Sequence, residues 1–88
     1  SSYIFFAEFT MLAKAYLLIE TAVGKTREVA DILHSLNGMS NVDVVTGPYD
    51  IIATIEADDM AIVGGIVTEK IHTIDGVVRT VTCVAVGQ

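Results

Sequence analysis

The chain has 88 residues, enough for one domain and little more. Apolar residues make up 52% of it and the mean hydropathy is +0.61, yet the longest apolar runs, such as Tyr16–Ile19, fall far short of the roughly 20 residues a membrane span needs. The net charge of −6, with Lys14, Lys25, Arg27, Lys70 and Arg79 as its scattered cations, excludes the basic footprint on which direct DNA or RNA binding depends.

Residues 1–10 (SSYIFFAEFT) lack the basic start and small-residue cleavage site of a signal peptide. Met11 is the simplest natural start, which makes residues 1–10 an added or extension segment ahead of a domain over residues 11–88. Tyr3, Phe5, Ala7 and Phe9 alternate, so this segment has the pattern of an extra strand. Lys14–Glu20 is the first strand of the domain proper. Gly24 opens a helix whose apolar stripe is Val29, Ile32, Leu33 and Leu36, and Asn37-Gly38 stops it. Asn41–Thr46 reads as the second strand, Gly47-Pro48-Tyr49-Asp50 as a turn, and Ile51–Glu56 as the third strand.

Asp58-Asp59 then caps a second helix that runs to about His72, with Ile62, Val63, Ile66, Val67 and Ile71 as its apolar face. Gly64-Gly65 inside that helix costs about 1 kcal/mol per glycine relative to alanine. Either the pair packs closely on the sheet or it marks a surface where another backbone approaches. Asp75-Gly76 ends the helix and Val77–Val86 is the final strand.

The order β-α-β-β-α-β predicts an α+β, ferredoxin-like fold, a four-stranded antiparallel sheet with two helices on one face. Ala15, Leu17 and Ile19 oppose Tyr16 and Leu18 in the first strand; in the last, Val78, Val84 and Val86 oppose Val77, Val81, Cys83 and Ala85. An open sheet face should be polar. Both faces here are largely apolar, so a second copy of the chain, packed sheet to sheet, is expected to cover the outer one. The single Cys83 rules out an intrachain disulfide and fits a reducing, cytoplasmic setting.

Catalytic candidates are few. His34 and His72 have no acid or nucleophile at helical spacing, Asp58 and Asp59 precede a helix and serve as caps, and no HExxH, GxGxxG, P-loop or CxxC motif occurs. The expectation is no enzyme, no metal and no cofactor. The turn is more informative: Gly47 permits unusual angles, Pro48 fixes φ and Asp50 accepts hydrogen bonds.

The segments VVTGPYDIIATIE, Asp75-Gly76-Val77 and VVRTVTCVAV, in this order and spacing, resemble the ligand-binding domain of the Lrp/AsnC family, also called the RAM domain (regulation of amino acid metabolism), from about Leu12 to Val86. The resemblance implies an amino-acid or related small effector held in clefts between dimers, with dimers assembling further into tetramers or octamers. Gly47, Tyr49 and Asp50 match the effector-contacting loop, and Thr80 and Thr82 match polar positions of the last strand. Loop amides near Gly47 would then meet a carboxylate, Asp50 an ammonium, and the threonine hydroxyls fix orientation; the alternative is that Asp50 caps its own turn and the threonines favour the strand.

Two departures from the family pattern stand out. Typical members carry an N-terminal helix-turn-helix, on the order of 50 residues, for which the residues ahead of the first strand leave no room; the resemblance is to a stand-alone version whose regulatory partner is a full-length relative. Pro48 also alters the loop. The competing readings are a dimeric α+β barrel enzyme of the small monooxygenase type, which calls for polar inward-facing residues, and a purely structural assembly unit.

Overall fold

The computed structural model describes residues 13–86. Its frame follows from the alternation in β1 (Ala13–Thr21), where Ala15, Leu17 and Ile19 are all fully buried while Tyr16 between them is exposed. After it come α1 (Thr26–His34), β2 (Met39–Val44), β3 (Ile51–Ala57), α2 (Met60–Ile66) running on as a π-helical turn over Val67–Ile71, and β4 (Val77–Val84). The four strands form one antiparallel sheet in the order β2-β3-β1-β4. This is the expected βαββαβ, ferredoxin-like fold. Leu17, Ile19, Leu33, Ile51, Ile55, Ile71, Val29 and Val63 are its largest fully buried side chains; each contributes about 1.5–3 kcal/mol by leaving water.

Several sequence expectations need correction. β2 begins and ends two residues earlier than its apolar run. Gly38, at φ 95°, turns the chain straight into the strand and its carbonyl accepts from Glu56 N at 3.0 Å, so pairing with β3 starts at once. Ile32 and Ile62 are 42% and 45% exposed, because each helix meets the sheet along a narrower stripe than its apolar residues span; Ala30 joins Val29 and Leu33 instead. Val77 lies against the core, not on the outer face with Val81 and Cys83. A register shift between Glu20 and Thr21 pairs Arg79 with Glu20 but Val77 with Thr21, and the extra residue, Val78, is left exposed.

The helix ends are fixed locally. Asp59 Oδ1 accepts from Ile62 N at 2.9 Å, the expected cap. Lys25 reaches Glu28 at 3.6 Å and Asp75 at 3.5 Å, tying the start of α1 to the turn before β4; Glu28 first and Asp75 second hold its ammonium pKa above the ordinary value.

Two glycines make opposite predictions. Gly76 sits at φ 101°, and a Cβ there would lie 2.9 Å from Lys25 Cβ and 3.1 Å from Val29 Cγ2. Gly76→Ala is expected to cost about 1–3 kcal/mol in a urea titration through strain and overlap. At Gly64 an added Cβ meets nothing within 4 Å among the described residues, so close packing on the sheet is not why it is there. Gly64→Ala is expected to stabilise α2 by up to about 1 kcal/mol.

On the sheet face away from the helices, Tyr16, Leu18, Ile52, Val81 and Cys83 form a continuous apolar band around the buried Thr54. Charged and polar pairs edge it: Lys14–Glu56 at 4.0 Å, Arg79–Glu20 at 3.3 Å, and Asn41 donating to Asp43 at 2.9 Å.

Candidate functional site

The β2–β3 loop is held by Asp50. Its N–H donates to Ile19 O at 2.9 Å and its carbonyl accepts from Val45 N at 2.9 Å. Its carboxylate Oδ2 accepts from Thr21 N at 2.8 Å and from Thr21 Oγ1 at 3.2 Å, and Thr21 Oγ1 lies 2.7 Å from Thr26 Oγ1. Asp50 therefore ties the loop to the end of β1 and the start of α1, more than capping its own turn. Asp50→Ala strands the buried Thr21 amide and is expected to cost about 1.5–3 kcal/mol; Asp50→Asn, which keeps an acceptor, should lose less in the same denaturation experiment.

Gly47 stands at the exposed tip of the loop, at φ 157°. Tyr49 leans over the end of β1. Arg79 Nη2 donates to its hydroxyl at 3.2 Å, the guanidinium carbon lies 5.3 Å from its ring centroid, and Arg79 Nε donates to Glu20 at 3.3 Å. Arg79 thus clamps the loop to β4.

Thr80 and Thr82 lie on the opposite, helix-covered side, since Thr80 pairs with Ile19 and Thr82 with Leu17. The neighbouring strands present Ala, Leu and Ile there; β4 turns polar where the helices no longer cover it. The π-helical turn delivers His72 to this spot, with Nε2 2.7 Å from Thr80 Oγ1. Beside them lies an open groove of about 480 Å³ lined by Val67, His72, Val77, Val78, Arg79, Thr80 and Thr82.

Of the five residues singled out from sequence, Thr80 and Thr82 share this groove. Gly47, Tyr49 and Asp50 lie in the loop at the same end of the sheet, and Ile51, which follows them, is two strand spacings (about 10 Å) from Thr80 across β1. Arg79 belongs to both groups. His72 and Arg79 were not among the expected site residues. His72 carries no motif, Arg79 entered only as part of the VVRTVTCVAV likeness, and the seven residues between His72 and Thr80 pass through a turn no periodicity describes. Among the described residues no group of three or more His, Cys, Asp or Glu gathers as a metal site, and no helix is long and apolar enough to cross a membrane.

The family model for the Lrp/AsnC ligand binding domain matches residues 14–88. The chain belongs to the Lrp/AsnC ligand-binding domain family. An uncharacterized HTH-type transcriptional regulator of Pyrococcus furiosus is 39% identical over 59 residues, which are 67% of this chain and 39% of that protein; the chain spans about two fifths of the curated relatives it matches. The crystal structure of FFRP-DM1 superposes with TM-score 0.81 at 34% identity, over 84% of this chain and 99% of that one. A transcriptional regulator of Neisseria meningitidis, NMB0573, solved as a complex with L-Met, has the same fold, with TM-score 0.82 at 14% identity over 93% of this chain and 55% of that one.

Proposed function

We propose that residues 11–88 form a sensing and assembly module of cytoplasmic transcriptional regulation, with an amino acid as its effector. The observation that carries this reading is the groove at Thr80 and Thr82 in a chain of the Lrp/AsnC ligand-binding family. An apolar floor with a few convergent polar groups is the ordinary make-up of a small-molecule site. The L-Met complex of the Neisseria regulator supports an amino acid as the class of effector. In this reading Thr80 and Thr82 orient the ligand. Gly47, Tyr49 and Asp50 complete the site from the loop, where Asp50 Oδ1 keeps no hydrogen bond among the described residues and is the natural acceptor for an ammonium group.

Assembly follows from the apolar band of Tyr16, Leu18, Ile52 and Val81, which suits a second copy packed sheet to sheet, with further association of dimers bringing loop and groove of different copies together. The scattered cations and net charge of −6 assign no DNA contact to this module; its influence on transcription passes through a separate DNA-reading domain or partner. No catalytic step is assigned to it.

Native mass spectrometry with and without a mixture of the proteinogenic amino acids tests the proposal. An oligomer that retains one amino acid supports it and identifies the effector. An oligomer that ignores all of them reduces the chain to an assembly unit, and a monomer removes the role assigned to the outer sheet face.

A further inference from the structure

We infer that His72 and Thr80 form a two-point clamp for a carboxylate, and that this pair, not the Gly47 loop, anchors the acidic group of the ligand. The inference rests on the groove being the effector site and adds the residue that reads the ligand's charge. Gly47 is exposed at the loop tip and an added Cβ there meets nothing within 4 Å among the described residues, so within one copy of the chain nothing shields an anion at that position from water. The His72–Thr80 pair lies on an open groove whose walls include Val67 and Val77.

The geometry suits the ligand. Nε2 and Oγ1 are 2.7 Å apart, a spacing comparable to that of the two oxygens of one carboxylate. With Nε2 protonated, both atoms can turn donors toward the same side and hold one oxygen each. In the free chain they satisfy each other, and a neutral group with a single acceptor would replace that bond without gain. A carboxylate replaces it with two bonds to a charged acceptor, which are the stronger kind. His72 is also fixed at its backbone, where its N–H donates to Val67 O at 2.9 Å as the cap of the π-helical turn. The backbone that carries the ring is therefore hydrogen-bonded, and the ring already placed against β4, before a ligand arrives, which limits the ordering cost on binding.

The test uses the full chain and two probes of equal shape, isobutyrate and isobutyramide, titrated while the imidazole resonances of His72 and the methyl resonance of Thr80 are followed by NMR. Isobutyrate is expected to shift both resonances and isobutyramide to shift neither appreciably. His72→Ala and Thr80→Val should each weaken isobutyrate binding by about tenfold, the equivalent of one hydrogen bond to a charged group. His72→Gln, which keeps a donor, should recover part of the loss. Equal response to both probes, or none to either, overturns the clamp.

Amino-acid binding measured on the same variants separates this inference from the sensor reading. An amino acid held equally well by the parent chain and by His72→Ala removes the clamp and leaves the sensor standing. A parent chain that binds isobutyrate at His72 but no amino acid keeps the clamp and removes the amino-acid effector.

Discussion

Replacing Leu18 by aspartate is expected to leave a folded chain that no longer associates through its outer sheet face. Leu18 is half-buried in the isolated chain, pairs with Ile52 on one side and Val81 on the other, and so lies in the middle of the apolar band. A carboxylate there stays hydrated as long as the face is open, which spares the fold. Closing a second sheet over it removes that water, at several kcal/mol per ion. A two-fold interface imposes the cost twice, so association should weaken by more than about 100-fold. Sedimentation velocity reads the change directly, and an unaltered far-UV circular dichroism spectrum would show that the fold survived. Continued assembly of Leu18→Asp would place the subunit contact elsewhere.

The neighbouring residue should behave in the opposite way. Leu17 points to the helices, is fully buried, and lies between Ala53 and Thr82 in the sheet. Leu17→Ala removes packed methyl groups from the centre of the core, where strands on both sides limit collapse, and should cost about 3 kcal/mol. A domain of this size has only about 5–10 kcal/mol of stability to lose, so the fall in thermal midpoint will be large. Subunit contacts should change only as far as the folded fraction does. Two adjacent leucines are therefore expected to separate folding from association, one acting on each.

The opposite facing of Leu17 and Leu18 was legible in β1 because period-two alternation carries orientation as well as identity. The helices were less transparent. A stripe at i, i+3, i+4 and i+7 says which residues are apolar, while the angle at which a helix meets the sheet decides which of them are covered; hence Ala30 is buried and Ile32 is not. The bulge beside Thr21 reversed Val77 without any local sign in the chain. The site divided along the same line. Asp50 and the threonines stand out by residue type and by family likeness, but the bond from Thr21 to Asp50 spans 29 residues and exists only once β1 and β3 have paired. His72 reads as an ordinary helix-end residue until β4 is set beside it.

The strand order also bears on how the chain reaches this structure. β2 and β3 are joined by a short loop and can pair early, whereas β1 meets β4 with Ala15 opposite Val84 and Tyr16 opposite Cys83, close to the two ends of the described chain. Closing so long a loop is entropically slow and is expected to follow formation of the rest of the sheet. Substitutions in β4 should then accelerate unfolding while leaving the refolding rate nearly unchanged, and substitutions in the β2–β3 hairpin should slow refolding. The strand that carries Thr80 and Thr82 would be the last to dock and the first to leave, so a ligand bound there would act chiefly as a brake on unfolding.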